Sequence, residues 1–226
     1  MNSYKLSSIL YLHGLASSPN SKKACAIGEA SSKLGIPFNA PDLSVPTFES
    51  LSLNAQLDLV KRVAKDLPSH SALIGSSFGG FLALNALKHS ESLAQSITKL
   101  VLIAPVIDWR NSKALSPQII AHWRKEGFVK RFHSGTNTER MLPWSFFEEI
   151  SQFGMPTLPP SLHCLIIHGY DDEVLDFKDS EKFAKAHQDQ VEFVGLQGGH
   201  ELLSSIPQMV EHVTTFLKSP LPDFMR

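Results

Sequence analysis

The feature of this sequence that most constrains its fold is a repeated alternation of short, wholly apolar runs with segments of helical periodicity. Between the runs, apolar residues recur at helical spacing, as at Leu53, Leu57 and Val60. Strands that are buried on both faces and joined by helices require right-handed crossovers and parallel pairing. The sequence therefore predicts an α/β fold, a compact, doubly wound, mostly parallel sheet of about six strands in a single domain of residues 1–226. The predicted strands are residues 8–13, 38–43, 71–75, 99–106, 162–169 and 191–196.

Helix boundaries follow from local signals. Ser18 as the N-cap and Pro19 in the first helical position predict a helix that ends before Gly35. Further helices are predicted over residues 78–89 and 177–187, with a last amphipathic helix near the carboxyl end of the chain.

Composition narrows the class of partner. Charged residues make up 19% of the 226 residues and the formal net charge is −1, so no electrostatic field attracts nucleic acid or an anionic membrane. The apolar run over residues 9–12 is too short for a signal peptide or a spanning helix. Cys25 and Cys164 do not indicate a disulfide scaffold. We therefore expect a cytoplasmic protein with a small-molecule partner and no stable membrane insertion.

The strongest motif lies directly after the third predicted strand, where ligands bind in sheets of this kind. It is Gly75-Ser-Ser-Phe-Gly79, a Gly-x-Ser-x-Gly pattern between a strand and a helix. Such a turn holds its central serine in a strained conformation with the hydroxyl exposed at a helix N-terminus. Ser77 is therefore the candidate nucleophile.

A serine hydroxyl needs a base to take its proton, and the base needs an acid to orient it. His200 follows a Gly-Gly pair after the last predicted strand, whereas His187 and His212 fall within helices. His200 is therefore the candidate base. The acid belongs after the preceding strand, where Asp172 is the preferred candidate and Asp171 its main rival.

A third candidate acid, the oxyanion donors and a second histidine remain to be placed. Asp108 is an outside candidate for the acid because it follows the fourth predicted strand. An oxyanion needs preorganised N–H donors, and we expect these from Phe78 and from Leu15, next to Gly14 in the loop after the first strand. His13, in the same loop, is expected to have a structural role.

Residues 108–160 break the alternation. They contain no clear strand and include Trp109, Trp123 and Trp144, so we expect a helical cap insertion above the nucleophile. Its rings would either contact the substrate in an apolar, water-excluding pocket or only pack the insertion onto the sheet.

The same segment carries a small basic cluster formed by Arg124, Lys125, Lys130 and Arg131. The expected role is a solvated face, and the alternative is recognition of an anionic leaving group such as a CoA phosphate. The histidines lack metal-ligand spacing, so no metal site is predicted.

Taken together, the motifs resemble the YqiA/YcfP-type small esterases of the α/β-hydrolase superfamily. The resemblance is carried by the segment from Leu10 to Ala24, by residues 75–80, by residues 172–177 and by the Gly-Gly-His ending at His200. It implies an α/β-hydrolase fold, carboxylester hydrolysis with short acyl groups, no cofactor, and an acid at Asp172. The 108–160 segment departs from these esterases and is more like the cap of acyl-protein and acyl-glucuronide thioesterases.

The leading hypothesis is thus a serine carboxylesterase or thioesterase that acts through an acyl-enzyme. One alternative is a non-catalytic binding protein with the same fold. Another keeps the fold but performs carbon–carbon bond hydrolysis, a lyase reaction or cofactor-free perhydrolysis, because a fold does not determine a reaction.

Overall fold

Six strands form a single parallel sheet in this computed structural model, which describes residues 6–160 and 162–220. The rest of the predicted single domain, residues 1–5, 161 and 221–226, lies outside the described residues. The strands of the described part are β1 (Ile9–Leu12), β2 (Phe38–Asn39), β3 (Ser71–Ser76), β4 (Ile97–Ile103), β5 (Phe128–His133), β6 (Thr138–Pro143), β7 (His163–Gly169) and β8 (Val191–Leu196). The sheet order is β2-β1-β3-β4-β7-β8, with every adjacent pair parallel. The prediction of a mostly parallel sheet is confirmed.

Helices cover both faces of this sheet. They are α1 (Lys22–Lys33), α2 (Leu53–Ala64), α3 (Phe78–His89), α4 (Glu91–Ser96), α5 (Pro117–Glu126), α6 (Trp144–Ser151), α7 (Phe177–Ala186) and α8 (Ile206–Lys218). Ile27 of α1 and Met209 of α8 belong to the core on one face, while Leu57 of α2, Phe81 of α3 and Phe183 of α7 belong to the core on the other. The doubly wound arrangement follows, because strands β1, β3 and β7 are buried throughout.

Several predicted boundaries are wrong. Helix α1 begins at Lys22 because the side chain of Ser21 accepts the N–H of Ala24 at 3.3 Å, whereas the sequence suggested a start at Pro19. Strand β2 ends at Asn39, since it is an edge strand that pairs with β1 alone. Strand β4 starts and ends earlier than predicted, and the chain turns at Ala104, whose φ is +42°.

The segment of residues 108–160 contains a β-hairpin, so the expectation of no strand in it is wrong. Strands β5 and β6 pair antiparallel between α5 and α6. Their pairing satisfies the backbone of both strands away from the main sheet. The insertion is therefore not purely helical, and it has a two-stranded sheet of its own.

The polar contacts that attach this insertion to the rest of the molecule include contacts of the hairpin and of α6. Ser134, in the hairpin turn, donates its N–H to the carbonyl of Ala16 at 2.8 Å. The guanidinium of Arg140 on β6 pairs with Glu49. The Glu149 carboxylate on α6 accepts from the Ser52 hydroxyl at the N-terminus of α2. The insertion thereby touches the loop after β1, which also borders the candidate site. None of the helices in the described part is long or apolar enough to span a bilayer.

Candidate active site

Ser77 lies at the sharp turn between β3 and α3. Its φ is +54° and its ψ is −119°, a conformation that costs energy for a residue with a side chain. Its N–H donates to the carbonyl of Ile103 at 2.9 Å and its own carbonyl accepts from Val106 at 3.1 Å. These bonds to β4 and the residues after it hold the strained turn in place.

Two glycines make this turn sterically possible. A Cβ on Gly75 would lie 2.5 Å from the carbonyl oxygen of Gly79, and a Cβ on Gly79 would lie 2.0 Å from the carbonyl oxygen of Leu12. Real Cβ atoms do not approach so closely, so the spacing of the Gly-x-Ser-x-Gly pattern has a direct structural cause.

His200 and Asp172 converge on Ser77. The Nε2 atom of His200 is 2.9 Å from the hydroxyl oxygen of Ser77, and its Nδ1 atom is 2.8 Å from Oδ2 of Asp172. Because an ionised carboxylate can only accept, Nδ1 carries the proton and Nε2 is left to accept from the serine hydroxyl. The three side chains, far apart in sequence, form one continuous hydrogen-bonded chain.

The Asp172 carboxylate receives three further hydrogen bonds. Oδ1 accepts the backbone N–H groups of Val174 at 2.8 Å and Leu175 at 2.7 Å, and Oδ2 accepts from Nε2 of His168 at 3.0 Å. Burial on its own would raise the pKa of Asp172, but the hydrogen bonds from His168 and His200 outweigh it and lower the pKa well below the ordinary range. Asp172 is therefore held ionised.

The rival acids lie elsewhere. Asp171 is exposed, and its N–H donates to the carbonyl of Gly198. Asp108 binds the guanidinium of Arg110 at 2.7 Å through each carboxylate oxygen. Neither carboxylate contacts His200 in the structure.

The backbone of His200 is held from two sides. Its N–H donates to the Glu173 carboxylate at 3.0 Å, and its carbonyl accepts from the ammonium of Lys23 at 3.4 Å. Lys23 also forms an ion pair with Glu201 at 3.0 Å. These contacts fix the loop that carries the imidazole, so the side chain needs no rearrangement to reach Ser77.

The two expected oxyanion donors flank the serine. The N–H of Phe78 lies in the first turn of α3, where helix geometry offers it no intrahelical acceptor. The loop with Gly14 and Leu15 runs alongside, since a Cβ on Gly14 would lie 3.2 Å from Cβ of Ser77. Gly14, Leu15 and Phe78 all line the cavity above Ser77.

His13 is structural in its contacts. Its Nδ1 atom is 2.9 Å from the carbonyl oxygen of Gly14, and its Nε2 atom accepts the N–H of Leu43 at 3.0 Å. Burial lowers its pKa. The ring therefore connects the loop after β1 to the segment after β2, as expected from the sequence.

A cavity of about 280 Å³ opens above Ser77. Trp109 and Trp123 line it, but Trp144 does not. Trp144 stacks on Phe147 at a ring-centroid distance of 4.7 Å, outside the cavity. Its expected place beside the substrate is therefore not supported. The apolar part of the cavity wall consists of Leu15, Ala16, Phe78, Val106, Trp109, Ala114, Leu115, Trp123, Phe132, Leu142, Phe146, Ile150, Val174 and Leu175.

The sequence predicted no role for His168, and it favoured a solvated face for Arg131. His168, fully buried on β7, bonds to Asp172 with one ring nitrogen and to the Ser180 hydroxyl with the other at 2.8 Å. A histidine next to the last residue of a strand, four residues before the acid, was the available signal. Arg131 was assigned to a solvated basic face, yet it is half-buried and lines the cavity. Its orientation depends on the hairpin, which the sequence did not reveal.

Cys164 is buried in β7 and Cys25 is exposed, and both are free thiols. The expected core role of Cys164 is confirmed, and burial raises the pKa of its thiol. Over residues 6–160 and 162–220, no group of three His, Cys, Asp or Glu side chains is arranged to hold a metal ion.

Comparison with known proteins places this site in a family context. A family model described as an uncharacterised protein family, UPF0227, matches residues 8–218. No curated protein matches the sequence. Solved structures are similar to this chain at sequence identities of 20% or less, and a similarity at that level shows the α/β-hydrolase fold alone.

Three solved structures illustrate this likeness. Est1E from Butyrivibrio proteoclasticus with ferulic acid bound has a TM-score of 0.73 at 19% identity, covering 96% of this chain and 90% of that one. Mouse α/β hydrolase domain-containing protein 10 has a TM-score of 0.70 at 20% identity, with 92% and 88% covered. A monoacylglycerol lipase of Paleococcus ferrophilus has a TM-score of 0.72 at 12% identity, with 95% and 96% covered.

Proposed function

The chain belongs to the UPF0227 family and has the α/β-hydrolase fold, and from that premise we propose that it is a serine hydrolase that cleaves carboxylic esters or thioesters through an acyl-enzyme. The observation that carries the proposal is the hydrogen-bonded chain from Ser77 through His200 to Asp172. That chain lies beneath a mainly apolar cavity. A buried, satisfied Asp–His pair hydrogen-bonded to a serine hydroxyl that faces a cavity is the arrangement that nucleophilic acyl transfer requires.

In the proposed first half-reaction, the Ser77 hydroxyl oxygen attacks the acyl carbon while Nε2 of His200 takes its proton. The resulting oxyanion accepts hydrogen bonds from the N–H groups of Leu15 and Phe78, and the N–H of Phe78 belongs to the positive N-terminal end of α3. The imidazolium, stabilised by ionised Asp172, then gives the proton to the departing alkoxide or thiolate. The acyl group is left on Ser77.

In the second half-reaction, a water molecule replaces the alcohol. The oxygen of the water attacks the acyl carbon while Nε2 of His200 takes one of the water's protons. His200 then returns that proton to the departing oxygen of Ser77. The carboxylic acid leaves and the free enzyme is restored. No step needs a metal or an organic cofactor.

We also infer that residues 108–160 act as a cap over Ser77. Trp109 and Trp123 from this segment line the cavity, so an acyl chain would lie against their rings. A volume of about 280 Å³ suits a short or medium acyl group. The Trp123 ring is held in place because its indole N–H donates to the carbonyl of Leu142 at 3.0 Å.

Ser77→Ala tests the proposal. The variant should lose kcat on p-nitrophenyl butyrate by a factor on the order of 10⁵ and should not react with a fluorophosphonate probe. Ser151→Ala, which changes an exposed serine at the end of α6, is the matched control and should keep both properties.

The same experiment separates the alternatives. A non-catalytic binding protein with this fold would leave Ser77 unlabelled by the probe in the wild-type chain. An enzyme for carbon–carbon bond hydrolysis would be labelled but would turn over β-diketones in preference to esters. Full activity in Ser77→Ala would overturn the assignment of the nucleophile.

A further inference from the structure

The cavity above Ser77 contains a cation whose charge the protein does not neutralise. Lys23 and Arg131 are the two basic side chains that line it, and Lys23 is paired with Glu201. No Asp or Glu of the described residues lies within ion-pair distance of Arg131. Its guanidinium donates only to the carbonyl of Ala114, at a long 3.4 Å. Most of its five donors are therefore free to bind another group.

The hairpin explains why Arg131 points inward. Side chains alternate along β5, so Val129, Arg131 and His133 share the more buried face, while Lys130 and Phe132 are exposed on the other, with Phe132 at the rim of the cavity. The residue opposite Arg131 across the hairpin is Arg140, whose own charge is matched by Glu49. Arg131 is thus separated from the carboxylate that neutralises its neighbour.

Half-burying an unpaired guanidinium is energetically unfavourable. Burial lowers the pKa of Arg131, but a guanidinium keeps its proton at physiological pH. Replacing Arg131 with an apolar residue would suit the surrounding walls of Leu115, Leu142 and Ile150 better. A ligand that supplies the opposite charge would offset the cost of the unpaired guanidinium at this position.

We propose that Arg131 binds an oxyanion group, a carboxylate or a phosphate, carried by the ester substrate. This inference rests on the proposed function and specifies its substrate class: esters in which a chain that fits the apolar walls joins the scissile carbonyl to an anionic group. The planar fork of a guanidinium binds either oxyanion with two parallel hydrogen bonds.

Matched ester pairs test the proposal. On the acyl side, the monoethyl esters of glutaric, adipic and suberic acid are compared with ethyl esters of monocarboxylic acids of equal chain length. On the alcohol side, 2-(butyryloxy)ethyl phosphate is compared with butyl butyrate. Acid release in a pH-stat gives kcat/KM for each ester, and the two arms show whether the anion is a carboxylate on the acyl group or a phosphate on the alcohol.

The wild-type chain should prefer the anionic member of at least one pair by about tenfold or more, the value of one charge-assisted hydrogen bond. In Arg131→Gln the ratio of kcat/KM between anionic and neutral esters should fall by a similar factor, and Arg131→Lys should restore part of it. Lys130→Gln removes the neighbouring exposed charge and should leave the ratio unchanged. A wild-type chain without preference, or a preference that survives in Arg131→Gln, would overturn the inference.

These outcomes are distinguishable from failure of the proposed function. If neutral esters are cleaved and Ser77 is labelled, but charge is not discriminated, only the inference about Arg131 fails. If no ester is cleaved, calorimetric titration of the intact chain with glutarate and with inorganic phosphate still tests the anion site. Binding that is lost in Arg131→Gln, with an unchanged circular dichroism spectrum, supports the site, and equal or absent binding in both chains rejects it.

Discussion

The carboxyl edge of the parallel sheet and the insertion of residues 108–160 border the same cavity but are built in different ways. At the sheet edge, backbone atoms fix the reactive groups: Ser77 is held by β4, and the Asp172 carboxylate accepts two backbone N–H groups. In the insertion, side chains form the cavity wall, and Arg131 faces inward only because of the pairing within a separate hairpin.

This difference separates what the proposed chemical step requires from what the choice among substrates requires. In the proposed mechanism, proton transfer depends on the distances between Ser77, His200 and Asp172, which must hold to within a fraction of an ångström. A cavity wall tolerates larger changes, because apolar contacts are not directional. We therefore expect substitutions at the sheet edge to lower activity on all esters, and substitutions in the insertion to change the preference among esters.

Asp172→Asn should have the largest effect among the remaining tests. The amide cannot stabilise the imidazolium and favours the wrong tautomer of His200, so kcat should fall by about 10⁴-fold on every ester. Steady-state kinetics with p-nitrophenyl acetate and butyrate measures the loss. Asp171→Asn is the matched control, and a comparable loss in that variant would contradict the assignment of the acid.

The same variant has an expected signature in stability. Folding lowers the pKa of Asp172, so its charge stabilises the folded state above about pH 4 and loses that contribution as the pH falls further. The free energy of unfolding in urea should be about 2–3 kcal/mol lower for Asp172→Asn near neutral pH. The difference should narrow below about pH 4.

His168→Leu should have an intermediate effect, about tenfold on kcat/KM, because Asp172 loses one of its hydrogen-bond donors. A carboxylate with fewer donors attracts the His200 proton more strongly, so the acid limb of the kcat/KM–pH profile should move to higher pH. His168→Gln retains an N–H donor and should restore part of the activity and the profile. A loss of stability with an unchanged pH profile would show that His168 acts only in packing.

The smallest effects are expected from a pair of tryptophans in the insertion. Trp109→Ala should raise KM for p-nitrophenyl hexanoate several-fold more than for the acetate, because Trp109 lines the cavity. Trp144→Ala should leave both KM values within about twofold, since this ring stacks on Phe147 outside the cavity. Equal effects of the two substitutions on KM would contradict the assignment of Trp109 to the cavity wall and of Trp144 to packing outside the cavity.

Much of the site could be located from the sequence because its signals are local. The glycine spacing around Ser77 indicates a turn in which a side chain would be too large, and the apolar runs indicate strands that are buried on both faces of a sheet. Asp171 and Asp172 could not be separated by such reasoning alone. The carboxylate of Asp172 meets both His168 and His200, which lie in different parts of the chain, whereas Asp171 is exposed.

The insertion was the least predictable part. Residues 128–133 alternate poorly between apolar and polar, and residues 138–143 end in a proline, so neither segment indicates a strand alone. Each becomes a strand by pairing with the other. The start of α1 was misjudged for a smaller reason: Ser18 and Ser21 are both acceptable caps, and only the path of the chain selects Ser21.

The amino-acid sequence by itself determined the parallel sheet, the strained serine turn and the order of the proposed catalytic residues along the chain. These depend on burial and on backbone sterics within a few residues of each position. Tertiary structure alone decided which carboxylate meets His200, that His168 shares that carboxylate, and that Arg131 enters the cavity. Each of those facts depends on the distance between groups that are remote in sequence. Hydrogen bonds and charge interactions between such groups form only after folding has brought them together.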